Sequence, residues 1–375
     1  MLDSYIRSYL EDLKWTVDQL DPSALAAVAD VFQRARAEGR QILIVGNGGS
    51  AAAASHMACD LGKSAIDDTN PHAARFRTVS LADNSALMTA IANDLSFEDV
   101  FAEQLRIVMR DGDVVVFISA SGNSPNLLRA HQYARTRGGR TIALLGFGGG
   151  RLAALVDHAL VVSSRNYGIS EDFHLTVMHI LTQYLRRAVS GRPRPVAFLD
   201  RDGIINTRLG PGEYVERWDQ FHFIDGAIPA LQHMSRQGFG LIVVTNQQGI
   251  GKGHMTAAAL EAIHEEMRRV LEAEGVILDG IFHCPHLEED DCFCRKPMPG
   301  LIYRALNETM FLIDLPRSIL IGDSESDVLA GRAAGLRTVL VSNAVESTAG
   351  PASAATHVVG TLAGAVAVVG ALATT

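Results

Sequence analysis

The apolar residues of the chain form short, nearly continuous runs that are separated by longer amphipathic stretches. In the first half, two amphipathic stretches over 3–20 and 22–38 precede five such runs, and a further helical stretch covers 170–189. Strands that are covered on both faces of a parallel sheet are apolar at nearly every position. The runs therefore predict five buried parallel strands, at 41–46, 77–82, 113–119, 140–146 and 158–163.

A second series of apolar runs begins after the segment SGRPRP (190–195), which combines glycine with two prolines and has no hydrophobic periodicity. Helical stretches such as 256–274 lie between these runs. The alternation predicts an α/β fold with two doubly wound parallel-sheet domains, over 1–189 and 196–375, joined by the 190–195 linker. The strands expected in the second domain are 196–200, 241–246, 281–284, 318–323, 337–342 and 357–360. Such sheets bind their ligands at the carboxyl ends of the strands.

Length and charge narrow the classes of function. A chain of 375 residues accommodates two domains with buried cores. The formal net charge of −9 argues against a nucleic-acid-binding protein, because such proteins carry basic patches, but it leaves small anionic ligands open. The first residues lack the apolar core of a signal peptide, and the stretch 357–373 is too short and too rich in Gly and Ala for a membrane span. We therefore expect a cytoplasmic protein without a membrane or nucleic-acid partner.

The clearest chemistry lies in VAFLDRDGIIN, where Asp200 ends an apolar run and Asp202 follows two residues later. Two carboxylates at this spacing can divide the work of phosphoryl transfer. One attacks phosphorus and forms an aspartyl phosphate. The other protonates the leaving oxygen and then deprotonates the attacking water. We expect Asp200 to be the nucleophile and Asp202 to be the general acid and base.

Two carboxylates approach a phosphate only with the help of cations. Asp323, at the end of SILIGD, can complete a Mg²⁺ site with Asp200 and the backbone carbonyl of Asp202, since Mg²⁺ prefers hard oxygen ligands. Thr245, at the end of LIVVTN, and Lys296 supply hydrogen bonds to the transferring phosphoryl group.

A second metal site is expected in CPHLEEDDCFCRKP, where three of the four cysteines fall within eleven residues. Cys284, His286, Cys292 and Cys294 provide four ligands suited to a closed tetrahedral Zn²⁺ site. Four protein ligands leave no open position, so the role is structural: the metal stiffens the loop that carries Arg295 and Lys296.

Asp200, Thr245, Lys296 and Asp323 match the four motifs of the haloacid dehalogenase superfamily, which the chain resembles over 195–375. LDRDGIIN, FIDGA (223–227), TNQQGIGKG (245–253) and CRKP (294–297) resemble its zinc-containing branch of heptose 1,7-bisphosphate and histidinol-phosphate phosphatases. The resemblance implies a Rossmann-like domain with a zinc knuckle. It also adds expected substrate contacts, at Asn246, Gln247, Gln248 and Arg295.

One residue departs from the pattern of the heptose enzymes. They usually carry lysine directly after the fourth-motif aspartate, whereas this chain has Ser324. This leaves the preferred anomer and the substrate open, with histidinol phosphate or another small monoester as the alternative. Asp327 can either bind a metal-coordinated water or cap a helix.

Two loops of the first half combine a strand end with polar residues before a helix. LIVGNGGSAAAASH offers backbone N–H groups and a hydroxyl at a helix N-terminus through Asn47, Gly48, Gly49 and Ser50. FISASGNSPN offers Ser119, Ser121 and Ser124 in the same way. Serine clusters are often ordinary helix caps, but two such loops at neighbouring strand ends favour phosphate binding.

These loops resemble the sugar isomerase (SIS) domain, a flavodoxin-like sandwich, and closely its sedoheptulose 7-phosphate isomerase branch, from residue 1 to about 188. The resemblance implies substrate contacts at Asn93 and Asp94. It also implies a Zn²⁺ ion and proton-transfer residues, which correspond here to His56, Asp60, Glu171 and His179. Asp60 replaces the expected Glu and Glu171 replaces the expected Gln, so the configuration of the product at C2 stays open.

Helical geometry is consistent with this metal site. His56 and Asp60 are four residues apart and share a helix face. Glu171 and His179 are offset by about 80° at 100° per residue, so they can converge, whereas His174 points about 140° away from His179. We expect His179 with Asp60 or Glu171 to move the proton between the two carbons of an enediol.

Together the two resemblances imply a bifunctional isomerase and phosphatase of nucleotide-activated heptose synthesis. No nucleotide-binding loop is present, so a separate kinase has to phosphorylate C1 between the two steps. Relatives of the first domain form tetramers, and we expect a homotetramer held by residues 1–190. The alternatives are a first domain that only senses sugar phosphate, or one that serves as a protein-interaction scaffold.

Overall fold

The computed structural model describes residues 1–66, 70, 72–189, 191–210, 212–342 and 354–373. The chain divides into two compact units, Met1–Ser190 (unit 1) and Gly191–Thr375 (unit 2).

Unit 1 is built on a five-stranded sheet in the order β2-β1-β3-β4-β5, with all strand pairs parallel. Its strands are β1 (Gln41–Gly46), β2 (Arg77–Ser80), β3 (Val114–Ser119), β4 (Arg140–Leu145) and β5 (His158–Val161). Its helices are α1 (Leu2–Asp18), α2 (Pro22–Ala37), α3 (Gly49–Ser64), α4 (Ser85–Asp94), α5 (Val100–Val108), α6 (Pro125–Thr136) and α7 (Tyr167–Val189).

The sheet of unit 1 is covered on both faces. Ile42 and Ile44 of β1 belong to one apolar cluster with α2, α3 and α7, whereas Leu43 and Val45 belong to another with α5 and α6. All four side chains are fully buried. Successive strand residues point to opposite faces, so burial of both faces accounts for the non-alternating apolar runs of the sequence.

Unit 2 has a six-stranded parallel sheet in the order β11-β10-β9-β6-β7-β8. Its strands are β6 (Val196–Leu199), β7 (Gly240–Asn246), β8 (Gly280–Cys284), β9 (Ile319–Gly322), β10 (Arg337–Val341) and β11 (His357–Val359). Its helices are α8 (Ala227–Arg236), α9 (Ala257–Ala273), α10 (Gly300–Glu308), α11 (Glu325–Ala333) and α12 (Leu362–Ala373). Ala197 and Leu199 face the α8, α9 and α12 side, whereas Val196 and Phe198 face the α10 side.

The predicted fold class, two parallel-sheet α/β domains, is confirmed. Most predicted strands agree with the observed ones to within two residues, and the last helix of unit 1 starts at Tyr167 rather than at 170. Within the described residues, no helix is long and apolar enough to cross a membrane.

Local chemistry sets several helix starts. The Asp21 side chain accepts a hydrogen bond from Ser23 N, with Pro22 in the first turn of α2. The Thr256 side chain accepts from Ala259 N at the start of α9. Such caps satisfy N–H groups that have no partner within the helix.

Candidate functional site

In unit 2, three neighbouring strands end at one cavity of about 560 Å³. β6 lies between β9 and β7, so residues that follow these strands meet at the same edge of the sheet. The structure brings all nine residues predicted for the phosphatase reaction to the cavity lining: Asp200, Asp202, Thr245, Asn246, Gln247, Gln248, Arg295, Lys296 and Asp323.

Lys296 forms the floor of the cavity with Asp200. Its Nζ lies 2.9 Å from Asp200 Oδ1, donates to Val244 O at 2.8 Å and also pairs with Asp327. The lysine side chain is only 3% exposed. Burial raises the pKa of Asp200 to about 7, and the Lys296 cation opposes that rise. Burial lowers the pKa of Lys296, but the Asp200 and Asp327 carboxylates outweigh it and hold that pKa above its ordinary value.

Three side chains hold Asp202 in place. Gln247 was expected to contact the substrate, and Arg201 and Asn206 were not predicted from the sequence. One Arg201 nitrogen lies 3.0 and 2.9 Å from its two oxygens, and Asn206 and Gln247 donate to them at 2.9 and 2.8 Å. Burial raises the pKa of Asp202, but these partners, with Arg201 first, lower it below its ordinary value. Asp202 therefore favours the ionised state.

A glycine determines how closely the strand ends approach. Gly203 has φ of 90°, and a Cβ at this position would lie 2.1 Å from Asp323 Oδ2. Any side chain would strain the backbone and displace the carboxylate. The DRDG sequence therefore brings Asp323 beside the turn that carries Asp200 and Asp202.

The donor set at this edge fits Mg²⁺. Carboxylate oxygens of Asp200, Asp323 and Asp327 lie within 4.8 Å of one another, and hard oxygen ligands are what Mg²⁺ requires. Asp323 Oδ1 is buried without a hydrogen-bond partner among the described residues, as expected of an atom that awaits a cation.

Asp327, for which the sequence left two roles open, is a helix cap. Its carboxylate accepts from Ser324 N at 3.1 Å and from Ser324 Oγ in the first turn of α11. The same buried carboxylate pairs with Lys296.

The segment that carries Arg295 and Lys296 is fixed to β7. Asn246 Nδ2 donates to Lys296 O and Lys296 N donates to Asn246 Oδ1, both at 3.0 Å. Arg295 donates to Gln248 Oε1 at 3.3 Å.

The four expected knuckle ligands converge directly before this segment. The sulfur–sulfur distances among Cys284, Cys292 and Cys294 are 3.3, 3.6 and 3.6 Å. His286 Nδ1 lies 3.5 Å from Cys284 Sγ and 3.2 Å from Cys294 Sγ. Metal–sulfur bonds of about 2.3 Å in a tetrahedron give ligand–ligand edges of about 3.8 Å. The arrangement therefore fits Zn²⁺ and not a disulfide.

In unit 1, the two polar loops are joined by a pair of amides. Asn47 Nδ2 donates to Asn126 Oδ1 at 3.0 Å, and Asn126 Nδ2 donates to Asn47 Oδ1 at 2.9 Å. Gly48 has φ of 56° immediately before α3, which starts with Gly49 and the buried Ser50. Asn126 is 2% exposed and was not predicted as a site residue, because its partner is 79 positions away.

The serine loop is braced by a glycine-rich loop that sequence reasoning missed. Ser119 Oγ accepts from Gly122 N at 3.0 Å, and Ser121 and Ser124 follow before α6. Leu152 N donates to Gly122 O at 3.1 Å from the neighbouring loop. A Cβ on Gly150 would lie 2.2 Å from Ser121 O.

Three of the four expected isomerase metal ligands come together between α3 and α7. Asp60 Oδ2 lies 3.4 Å from His56 Nε2 and 3.9 Å from His179 Nε2. Two imidazoles and one carboxylate suit Zn²⁺. Glu171 lies apart from this cluster, against Gly49, where a Cβ would be 2.2 Å from its Oε1. It is thus placed at the 47–50 loop.

The remaining candidates of unit 1 differ in their exposure to solvent. His174 is fully buried, and burial lowers its pKa to about 4. Asn93 and Asp94 are exposed at the end of α4, where Asn93 Nδ2 donates to Asp94 Oδ1 at 2.8 Å.

Comparison with known families gives a separate match for each half. Residues 4–146 match the model described as SIS domain, and residues 293–365 match the one described as HAD-hydrolase-like. Both resemblances drawn from the sequence motifs are thus confirmed.

Individual relatives follow the same division. A phosphoheptose isomerase from Pelobacter propionicus is 38% identical over 168 residues, which are 45% of this chain and 87% of the relative. A D-glycero-beta-D-manno-heptose-1,7-bisphosphate 7-phosphatase from Yersinia pestis is 41% identical over 177 residues, which are 45% of this chain and 92% of the relative.

Solved structures are similar to each half as well. A phosphoheptose isomerase from Neisseria gonorrhoeae is 29% identical, with a TM-score of 0.45, and the match covers 49% of this chain and 98% of that one. A D,D-heptose 1,7-bisphosphate phosphatase from B. bronchiseptica, complexed with magnesium and phosphate, is 30% identical, with a TM-score of 0.39. That match covers 46% of this chain and 96% of the other.

Proposed function

We propose that this chain, which belongs to the phosphoheptose isomerase family through unit 1 and to the heptose-1,7-bisphosphate 7-phosphatase family through unit 2, is a bifunctional enzyme of heptose synthesis. Unit 1 converts sedoheptulose 7-phosphate to an aldoheptose 7-phosphate. Unit 2 hydrolyses the C7 phosphate of a heptose 1,7-bisphosphate. The observation that carries the phosphatase proposal is the convergence of Asp200, Lys296 and Asp323 on one cavity.

In unit 2, an Asp200 carboxylate oxygen bonds to phosphorus while the bond from phosphorus to the sugar oxygen breaks. Asp202 delivers a proton to that oxygen. It then takes a proton from the water that attacks the aspartyl phosphate, which releases inorganic phosphate and restores Asp200. The lowered pKa of Asp202 suits the second, basic half of this cycle. Thr245 and Lys296 bind the phosphoryl oxygens.

Two metal ions are part of the proposal for unit 2. Asp200, Asp323 and the Asp202 carbonyl would hold Mg²⁺, which supplies positive charge to the transferring group. The three cysteines and His286 would hold a structural Zn²⁺. Their ligand spacing supports this, and the next two residues in the chain are Arg295 and Lys296.

In unit 1, a proton leaves the carbon beside the substrate carbonyl and returns to the neighbouring carbon through an enediol. We assign the proton transfer to His179 and Asp60, which lie 3.9 Å apart, and His56, Asp60 and His179 would hold a Zn²⁺ that polarises the substrate oxygens. Glu171, on α7 beside Gly49, is the alternative carboxylate for the proton transfer. Asn47 to Ser50, Asn93, Asp94 and the three loop serines bind the sugar phosphate.

The isomerase proposal has its own test. Asp60→Asn should lower turnover of sedoheptulose 7-phosphate at least a hundredfold, because it removes a carboxylate from between two histidines. Asp30→Asn, on the exposed face of α2, is the matched control. Parent-like isomerisation by the Asp60→Asn protein would refute the assignment.

We further propose a cytoplasmic homotetramer that works with a separate heptose 7-phosphate kinase. Reducing conditions suit the thiol cluster of unit 2, whose cysteines are free. Leu2, Tyr5, Ile6 and Leu10 of α1 are 72, 64, 47 and 56% exposed, which supports burial against another copy.

NMR of the products tests the whole proposal. The protein is incubated with sedoheptulose 7-phosphate, with each anomer of heptose 1,7-bisphosphate, and with histidinol phosphate. We expect an aldoheptose from the first and inorganic phosphate from a bisphosphate. Faster hydrolysis of histidinol phosphate would contradict the assigned substrate.

A further inference from the structure

The basic side chains that line the unit 2 cavity differ in their exposure and in their pairing with carboxylates. Four line the described cavity: Arg201, Arg208, Arg295 and Lys296. Arg201 and Lys296 have side chains only 1 and 3% exposed, and each is paired with a carboxylate at the floor. Neither can turn outward to meet a second anionic group on a substrate.

Arg208 lies at the mouth of the same cavity. Its guanidinium makes one contact with a carboxylate, 3.2 Å from Asp323 Oδ2, and its side chain is 64% exposed. The loop that carries it starts from a fixed point, because Asn206 is fully buried and hydrogen-bonded to Asp202, and Thr207 N donates to His222 O at 2.8 Å. The anchored backbone holds an exposed cation beside Asp323.

The residue next to Asp323 cannot take this role. Ser324 carries no charge, and its hydroxyl is engaged with Asp327 and Ser326. Among the residues that line the cavity, Arg208 is therefore the exposed cation on the Asp323 side, and Arg295, which donates to Gln248 Oε1, is the second cation outside the buried floor.

A bisphosphate brings more negative charge into the cavity than a monoester does. Lys296 and the metal site serve the reacting phosphate, so the second phosphate needs cations at the mouth. An arginine guanidinium matches phosphate oxygens through two parallel N–H donors, and such charge-assisted bonds are stronger than neutral ones.

We propose that Arg208 binds the second, non-reacting phosphate and, with Arg295, selects bisphosphates over monophosphates. This inference rests on the proposed phosphatase function of unit 2. Arg208 would then be a specificity-determining residue. It lies in the loop after the VAFLDRDGIIN motif and belongs to none of the motifs at the strand ends.

The test measures kcat/KM of Arg208→Gln, Arg208→Lys and the parent enzyme on heptose 1,7-bisphosphate and on p-nitrophenyl phosphate. Arg217→Gln is the matched control, because Arg217 is an exposed arginine of the same unit that pairs with Asp219 outside the cavity lining. We expect the bisphosphate-to-monoester ratio to fall at least tenfold in Arg208→Gln, mainly through KM. Arg208→Lys should recover part of it, and Arg217→Gln should keep the parent ratio.

Three other results would contradict either the role of Arg208 or the proposed function. An equal loss on both substrates would place Arg208 on the reacting phosphate and overturn the proposal, as would an unchanged ratio. A parent enzyme that hydrolyses monoesters but not the bisphosphate would instead contradict the proposed function itself.

Discussion

At the scale of single residues, each unit buries a titratable side chain, and the two side chains are buried in different charge states. In unit 2, Lys296 is buried as a cation because Asp200 and Asp327 surround its Nζ. In unit 1, His174 is buried in its neutral form, and its pKa is lowered to about 4 by that burial. The paired cation serves the proposed chemistry, whereas the neutral histidine contributes to the packing of α7.

The buried His174 makes unit 1 sensitive to acid. Its folded pKa lies below the unfolded value of about 6.5, so the unfolded chain binds the proton more readily. The stabilisation is complete above pH 6.5 and is lost as pH falls towards 4, at up to about 1.4 kcal/mol per pH unit. Between pH 7 and 5, the parent should lose about 2 kcal/mol more than His174→Phe.

Urea unfolding measures this difference. Each unit holds one of the two tryptophans, so Trp15 reports unit 1 in a Trp218→Phe background. The exposed His72→Gln variant is the control and should keep the parent pH dependence. The same pH dependence in His174→Phe and the parent would show that His174 is not the acid-sensitive group.

At the scale of elements, the sequence predicted strands better than the contacts between loops. Apolar runs such as 140–146 identify buried strands because both faces of each sheet are covered. The Asn47–Asn126 pair and the contact of Gly150 with the serine loop were not predictable, since they join residues 79 and 29 positions apart. No local pattern encodes such pairing.

The glycine-rich loop should determine the position of the serine loop. Gly150 and Gly148 both have positive φ, of 55° and 80°, so alanine strains the backbone at either position. Only at Gly150 does the new Cβ meet Ser121 O, whereas at Gly148 nothing lies within 4 Å. Gly150→Ala should raise the isomerase KM about tenfold, and Gly148→Ala should change it less than threefold, consistent with a displacement of about 1 Å at one loop only.

Isomerase kinetics and thermal unfolding of both variants check this expectation. Comparable losses of Tm with different KM values would support the bracing role. The same KM in the two variants would mean that the contact does not position the serine loop.

The convergence of Cys284, His286, Cys292 and Cys294 was predictable because the four residues lie within eleven positions of the chain. Cys292→Ser combined with Cys294→Ser should abolish zinc binding by this site and lower phosphatase activity at least tenfold, because Arg295 and Lys296 directly follow these ligands. Isomerase activity should persist.

The matched control is Cys59→Ser, since Cys59 is a free, exposed thiol on α3, outside the knuckle. Zinc per chain by plasma mass spectrometry and phosphate release are measured on the same samples. Full phosphatase activity in the double variant would contradict a stabilising role for the metal.

At the scale of the whole molecule, the chain joins two enzyme families, each matched over nearly half of its length. The names of these relatives, a phosphoheptose isomerase and a heptose-1,7-bisphosphate 7-phosphatase, both refer to heptose phosphates. The motifs of unit 2 lie within a few residues of strand ends, so the sequence predicted that they would meet at one edge of the sheet. The convergence of the unit 1 candidates was less predictable, because Glu171 lies against Gly49 rather than with His56, Asp60 and His179.

The proposed phosphatase reaction requires Asp200 as the nucleophile, and the Asp200→Asn protein tests this requirement directly. Phosphate release from heptose 1,7-bisphosphate is measured together with isomerisation of sedoheptulose 7-phosphate, which reports that the chain is folded. We expect phosphate release to fall at least a thousandfold while isomerisation continues at the parent rate. Undiminished phosphate release would show that Asp200 is not the nucleophile.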